Sequence, residues 1–322
     1  MTTSPLTHPA GDSAPPGPAR PVPPPPRRPA DPARHRRTRR SRGTFRILGV
    51  PAVWIWACFN VFLLLWVVMT AFRNGSEIFT DPFRLPDSLS PANFTDAWSV
   101  SDLGSGFLNS AVVVTAASLT VIALSAPAAY VLARGRQRSG ELVTLLFILG
   151  MGIPMQAVII PVFVWMQNIS TFMYAALGWW DERISLYLIY VASSLPFTVF
   201  LLTGFFRTLP GELEEAAALD GCTGLRAFRS IMLPLARPGI TTALILLVVS
   251  LWNETLLALV LITETEKYTL PQALLGLYGT MQYTSHWGGL FAGIVIVVVP
   301  ILALYIWLGR RIVEGLTLGV GK

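Results

Sequence analysis

The sequence predicts an all-α polytopic membrane protein with six transmembrane helices and a polar loop between the fourth and the fifth. Its 322 residues are 53% hydrophobic and only 13% charged, whereas an ordinary soluble domain is about 25% charged. The apolar residues also fall into six runs, and a run of roughly 20 residues is enough to cross about 30 Å of hydrocarbon. Most of the chain is therefore expected to face lipid.

The first 46 residues differ in composition from the rest of the chain. They include four consecutive prolines at 23–26 and a basic run that starts at Arg34, so they have little to bury and are expected to form a disordered cytoplasmic tail. The apolar stretch that follows exceeds the roughly 7–15 residues of a signal-peptide core. Residues 47–322 are expected to form one transmembrane domain, with spans at about 47–72, 107–133, 142–166, 184–206, 239–262 and 288–308.

The basic residues lie mostly on one side of these spans. Of the 24 Lys and Arg, 20 fall on the side of the two termini, and the other side holds Arg73, Arg84, Arg183 and Lys267. The positive-inside rule then predicts a multi-pass protein of the plasma membrane with both termini in the cytoplasm and with outer loops at about 73–106, 167–183 and 263–287. The net charge of +6 comes from short clusters beside apolar runs, which argues against nucleic acid as a partner. The three histidines and two cysteines show no metal-binding spacing.

The cytoplasmic loop 207–238 carries the signals of two short helices. Pro210 can start the first helix, acidic residues occupy its first turns, and Gly221 can close it in a left-handed cap. A second helix is expected from near Thr223, with Leu225, Phe228, Ile231 and Met232 on one face and stops at Pro234 and Pro238. These local signals alone also fit an amphipathic connector that lies on the bilayer.

A longer pattern favours a specific interpretation of this loop. Glu215-Ala216-Ala217, then Gly221, then 231–234 (Ile-Met-Leu-Pro) resembles the EAA signature of binding-protein-dependent ABC importer permeases. Other segments resemble the carbohydrate-uptake branch of maltose-transporter type, namely Leu195-Pro196-Phe197, Gly204-Phe205-Phe206-Arg207, Leu219-Asp220-Gly221, Trp252-Asn253-Glu254, Thr269-Leu270-Pro271 and Gly315-Leu316-Thr317-Leu318-Gly319. The resemblance covers residues 45–322. One departure is Cys222, where the family usually has alanine; both are small, so coupling is not put in doubt.

The resemblance implies that the loop is a coupling helix that docks on a separate ATP-binding subunit. The residues it assigns to this coupling loop are Glu214, Glu215, Ala216, Ala217, Asp220, Gly221, Phe228, Ile231, Leu233 and Pro234. It also implies a second homologous permease in a heterodimer, two ATP-binding subunits that hold ATP and Mg, an extracytoplasmic solute-binding protein and a sugar-like solute. The chain itself is expected to bind no cofactor and to be no enzyme. Its only Gly-Lys pair, at 321–322, is not expected to form a Walker A loop, because that pattern needs Ser or Thr after the lysine and then a helix.

Glu254 is the only ionisable residue well inside a predicted span. Since such residues usually face a bundle interior or water, we expect Glu254 to line the solute path, on one helical face with Ser250 and Asn253. Ala243 and Ala258 would complete that face. The alternative is a structural strut to a neighbouring helix. Gln156 and Asn109 are further polar candidates. An alternative function is a stand-alone, proton-coupled secondary transporter that uses Glu254 as its proton site.

Overall fold

A computed structural model describes residues 32–73, 75, 77–135 and 138–320 of the chain. The regular structure within these ranges is helical, with no β-strand among the described residues, which confirms the all-α prediction. In chain order the helices are α1 (Pro32–Thr70), α2 (Glu77–Thr80), α3 (Ala92–Val100), α4 (Leu103–Arg134), α5 (Arg138–Met151), α6 (Met155–Leu177), α7 (Glu182–Thr208), α8 (Glu212–Leu219), α9 (Gly224–Ala227), α10 (Leu233–Leu235), α11 (Arg237–Trp252), α12 (Leu256–Leu261), α13 (Leu270–Thr284) and α14 (Trp287–Val320). Phe228–Met232 is a π-helical turn and Thr265–Lys267 a 3-10 turn.

The chain divides into two compact units, Met1–Asn60 and Val61–Lys322. In the first unit, part of the predicted disordered tail, residues 1–31, lies outside the described residues. Residues 32–46 were also assigned to that tail, but α1 begins at Pro32 and includes them. Arginine and alanine are good helix formers, and α1 contains no further proline until Pro51.

Five helices of the described residues are long and apolar enough to cross a membrane, and one bent pair gives a sixth span if it is counted as one. The five are Gly49–Thr70, Leu103–Arg134, Met155–Leu177, Glu182–Thr208 and Trp287–Trp307. The bent pair is Gly224–Leu235 with Arg237–Trp252, at an angle of 72°. Six spans were predicted, and the differences concern the third and the fifth.

The predicted third span, 142–166, is two helices rather than one. α5 ends at Met151, and α6 begins at Met155 after Pro154, whose backbone is extended. Proline disfavours helical geometry in the residue before it, so the chain breaks here. α6 then continues to Leu177 and closes at Gly178 with φ +78°. The prediction that residues 167–183 form an outer loop is therefore wrong for most of that segment.

The predicted fifth span, 239–262, is also interrupted. α11 begins at Arg237 and ends at Trp252, and α12 starts only at Leu256. Pro234 does not end the preceding helical segment, which continues to Leu235. That segment ends there, just before Pro238, which lies in the first two positions of α11, where a missing N–H is tolerated. Because Asn253–Thr255 is not helical, Ala258 does not continue the face of Ser250.

The predicted outer loop 263–287 contains the helix α13. Leu270 and Leu277 of this helix are fully buried. The backbone N–H of Leu270 donates to the hydroxyl of Ser110 in α4 at 2.8 Å. This segment therefore packs as part of the second unit.

α4 and α7 form the centre of the second unit. Buried residues of α4 take part in each of three apolar clusters, and α7 contributes to two of them. One cluster joins α4 and α7 to α11 and α12, and another joins them to the residues that follow α8. The two helices thus connect the polar loop to the interior of the spans.

Candidate functional site

The first helix of the polar loop, α8, is closed as the sequence predicted. Gly221 has φ +76°, which is the left-handed conformation. The N–H of Cys222 donates to the carbonyl of Ala217 at 2.9 Å, and the N–H of Gly221 donates to that of Ala218 at 3.0 Å. This pair of bonds is a Schellman motif, which satisfies carbonyls at the end of a helix. The sharp turn that follows α8 therefore depends on Gly221.

α8 has an inward and an outward face. Ala217 is 4% exposed and Glu214 is half-buried, one turn apart on the inward side. On the outward side Glu215, Ala216 and Asp220 are exposed, and Leu219 is 90% exposed. The predicted coupling residues thus divide into a set that faces the protein and a set that is free for a partner.

Glu214 contacts the end of α4. The Nε of Arg134 donates to Oε1 of Glu214 at 2.8 Å, and each of these side chains is 22% exposed. The Nη2 of Arg134 also donates to the carbonyl of Leu209 at 3.0 Å. This pair could not be predicted from sequence patterns, because the two residues are 80 positions apart.

The second half of the loop begins where it was predicted to begin. Thr223 precedes α9, and its hydroxyl accepts from the N–H of Arg226 at 3.4 Å, as an N-cap side chain does. Phe228 and Met232 are buried, and Ile231, Leu233 and Pro234 are half-buried. Leu225 was predicted on the same apolar face, but it is 60% exposed. The π-helical turn at Phe228–Met232 changes the helical period after α9.

An aromatic cluster holds this second half against the spans. The ring of Tyr130 in α4 lies 5.0 Å from that of Phe228 and 5.8 Å from that of Phe206 in α7. Such aromatic pairs add about 0.5–1.5 kcal/mol beyond the apolar area that they bury. The last turns of α4 therefore contact both halves of the loop.

Glu254 lies at the break between α11 and α12 and is half-buried. Its Oε1 accepts from the N–H of Leu257 at 2.8 Å. Its Oε2 accepts from the hydroxyl of Tyr190 in α7 at 3.0 Å and from the N–H of Ala258 at 3.3 Å. A carboxylate at a helix amino terminus satisfies free N–H groups and opposes the positive end of the helix dipole. Glu254 therefore supports the break and joins it to α7.

A cavity of about 720 Å³ opens beside Glu254. It lies between the α5–α6 break, the middle of α7 and the α11–α12 break. Trp165 and Phe197 contribute rings to a largely apolar wall. The polar groups along it are Gln156, Tyr190, Ser193, Ser194, Ser250 and Glu254.

The structure separates the other polar candidates. Ser250 is exposed at the cavity, whereas Asn253 does not line it and donates to the carbonyl of Val249 at 2.7 Å. Asn109 is a brace: it donates to the carbonyls of Glu266 and Tyr268 and accepts from Arg183. The sequence analysis did not identify Tyr190 as a partner of Glu254. A tyrosine within an apolar run is usually a core residue, and Glu254 lies 64 residues away.

The opposite end of α7 is also tied to another segment. The carboxylate of Glu182 accepts from the N–H and the hydroxyl of Thr263, at 2.8 and 2.6 Å, and from the N–H of Glu264 at 3.2 Å. α7 thus contacts the 263–264 segment at its start and the cavity at its middle, and it leads into α8 after its end.

Residues 125–317, more than half of the chain, match the family described as binding-protein-dependent transport system inner membrane component. The chain belongs to this family. It is therefore a permease subunit of a binding-protein-dependent importer, and the match includes the whole polar loop and the Glu254 break.

Two relatives and one solved structure extend the comparison. A diacetylchitobiose uptake system permease protein of Streptomyces coelicolor is 38% identical over 82% of this chain and 85% of its own. A trehalose transport system permease protein of Mycobacterium tuberculosis is 31% identical over 80% of this chain and 91% of the relative's length. A crystal structure of a bacterial ABC transporter involved in the import of alginate matches with a TM-score of 0.68 at 21% identity, over 84% of this chain and 97% of that one. This last match shows that the fold is shared.

Proposed function

We propose that this chain is one of two homologous permease subunits of an ATP-driven importer, and that it forms half of the path for a sugar-like solute. One observation carries the proposal: a single helix, α7, connects a cavity that contains an ionisable residue to an exposed loop with the EAA pattern. Membership of the importer family supports the same assignment. The relatives named for diacetylchitobiose and trehalose favour a disaccharide as solute.

The outward face of α8 is the proposed contact for a separate ATP-binding subunit. Leu219 and Leu225 place two exposed leucines on the loop, beside the acids Glu215 and Asp220. Exposed apolar residues with a polar rim are typical of protein interfaces. ATP and Mg would be held by two such subunits, and an extracytoplasmic binding protein would deliver the solute.

Ser250 and Glu254 are the proposed solute contacts in this chain, with Tyr190 added by the structure. A carboxylate offers about four acceptor positions, and Glu254 uses three of them in the bonds described above. One position remains for a solute hydroxyl. The oxygen of Tyr190, which donates its proton to Glu254, can accept a second hydrogen bond. Asn253 is the weakest of the original candidates because it lies outside the cavity lining.

The proposed orientation places both termini and the α8–α10 loop in the cytoplasm, since 20 of the 24 basic residues lie on that side. It can be tested by thiol labelling after Cys58 and Cys222 are replaced, because both are free cysteines. A cysteine at Ser88 or Thr265 should react with an impermeant reagent added outside intact cells. A cysteine at Ser230 should react only after the membrane is opened, and the reverse pattern would contradict the orientation.

The function itself is tested by reconstitution in vesicles. The complex of this chain with its partner permease, ATP-binding subunits and binding protein should take up radiolabelled diacetylchitobiose or trehalose only when ATP is present. The matched control is the chain alone under an imposed proton gradient, which should give no uptake. Proton-driven uptake by the chain alone would favour the secondary transporter that uses Glu254.

A further inference from the structure

We propose that Arg134 is a positioning residue for ATP-driven transport: through Glu214 it fixes α8 against the end of α4. The inference rests on the proposed function, because it specifies how the coupling loop is held to the spans. It also changes the expected role of Glu214 from a contact with the ATP-binding subunit to an internal one.

The geometry of the pair is that of a specific contact. Arg134 uses two of its nitrogens, Nε toward Glu214 and Nη2 toward the carbonyl of Leu209. Both charged side chains are about four-fifths covered. The planar guanidinium, with donors in a fixed fork, can hold a carboxylate and a carbonyl at the same time. α8 and the residues just before it are therefore both attached to α4.

The connections of α8 make this attachment important. At its start the chain passes through Leu209, Pro210 and Gly211, and only Leu209 of these three is not exposed. At its end the chain reverses at Gly221, where an added Cβ would find no atom within 4 Å. Within α8 the only buried residue is Ala217. Apart from the ion pair, α8 is held by Ala217, by the contact of Glu214 with Tyr130 and by the two turns, so loss of the pair should loosen its attachment to α4.

The last turns of α4 also hold the other half of the loop, through the ring of Tyr130 on Phe228. A partner that binds at Glu215 or Leu219 would therefore contact a loop whose two halves are both attached to α4. α4 shares two apolar clusters with α7, and α7 lines the cavity at Tyr190. The pair thus lies on a continuous series of packed contacts from the exposed loop to the proposed solute site.

The test uses the complete complex in vesicles with the variants Arg134→Gln, Glu214→Gln and both together. We expect each single variant to keep its membrane level and its co-purification with the ATP-binding subunit. Solute imported per ATP hydrolysed should fall roughly two- to fivefold, the range expected when an ion pair worth up to about 1 kcal/mol is lost. The double variant should lose no more than Arg134→Gln alone, because both changes remove the same ion pair and only the arginine change also affects the bond to Leu209.

Two further variants separate positioning from general damage. One variant exchanges the two charges, Arg134→Glu with Glu214→Arg. It should recover part of the lost solute import per ATP hydrolysed, although the bond to Leu209 is lost. Arg84→Gln is the matched control, because it breaks an exposed arginine–carboxylate pair, with Asp87 at 2.9 Å, in the predicted outer loop. That control should leave the ratio unchanged.

The inference would be overturned if the unmodified complex transports solute but both single variants import as much solute per ATP hydrolysed as it does. It would also be overturned if the double variant loses the sum of the two single losses. Loss of co-purification in Glu214→Gln alone would also overturn it, since Glu214 would then be a docking residue. If the unmodified complex shows no ATP-dependent uptake, the proposed function itself is wrong, which is a distinguishable result.

Discussion

The polar loop and the Glu254 break are both irregular, yet they are built in different ways. The turns of the loop come from residues close together in sequence, the Thr223 N-cap and the Gly221 turn, while Arg134 and Tyr130 of α4 hold its inner side. The α11–α12 break is instead joined to α7 by Tyr190, which is 64 residues away. These contacts leave one face of α8 exposed, whereas Glu254 is half-buried and both of its oxygens accept hydrogen bonds. The loop therefore offers a surface to a partner, and the break is held by contacts within the chain.

The largest expected effect is that of Gly221→Asp in the loop. A side chain at φ +76° is strained by roughly 1–2 kcal/mol, and no atom of the chain lies within 4 Å of the added Cβ. Any further loss must therefore come from the partner. We expect a membrane-inserted subunit that no longer supports ATP-dependent uptake.

Gly221→Asn is the matched variant, because asparagine tolerates the left-handed conformation. It should retain most of the uptake. Equal, wild-type uptake in both variants would contradict the docking role of the loop.

The two faces of the loop predict opposite effects for two leucine-sized side chains. Met232 is fully buried, so Met232→Ala should lower stability by about 2–5 kcal/mol. Leu219 is 90% exposed, so Leu219→Ala should change stability by less than about 0.5 kcal/mol and should weaken binding of the ATP-binding subunit. Thermal unfolding in detergent and co-purification measure the two effects. A large stability loss in Leu219→Ala would show that its surface is covered within the chain.

At the Glu254 break, a moderate effect is expected from Tyr190→Phe and a larger one from Glu254→Gln. The tyrosine change removes one hydrogen bond, worth about 0.5–1.5 kcal/mol, whereas the glutamate change also alters the acceptors of the Leu257 and Ala258 N–H groups. If these residues bind solute, KM for uptake should rise while the membrane level stays normal. A fall in level with unchanged KM would favour the strut interpretation.

The smallest effect concerns pH at the other end of α7. The side chain of Arg183 donates to Asp181 and holds the pKa of that carboxyl below its ordinary value of 3.8. The stability that this pair contributes is present above the ordinary pKa and is lost only as pH falls through the lowered one. Changing the outer pH from ~7.5 to ~5 should therefore leave the thermal stability contribution of Asp181 unchanged. Comparison with Asp181→Asn at both pH values measures it.

Much of this structure could be predicted from local signals. Long apolar runs placed most of the spans, and the Gly221 and Thr223 signals placed the turn between the two halves of the loop, whereas α8 begins at Glu212 and not at Pro210. The break at Pro154 also has a local cause, but the error in the fifth span arose where a tertiary contact decides. The break after Trp252 is supported by the carboxylate of Glu254, so a charged residue expected on a helical face became a helix cap. The roles of Arg134 and Tyr190 could not be predicted, because their partners are 80 and 64 residues away.

The length of α7 has a mechanical consequence. Its 27 residues span about 40 Å at 1.5 Å per residue, and its start is clamped by Glu182 to the 263–264 segment. A pivot of α7 as one body by about 5° at that clamp would shift its far end by about 3.5 Å and Tyr190 by only about 1 Å, given the same rise per residue. Pro196, which lies between the two, is the position where α7 would bend instead. A small movement of α7 beside the cavity would therefore accompany a larger movement where α7 leads into the loop.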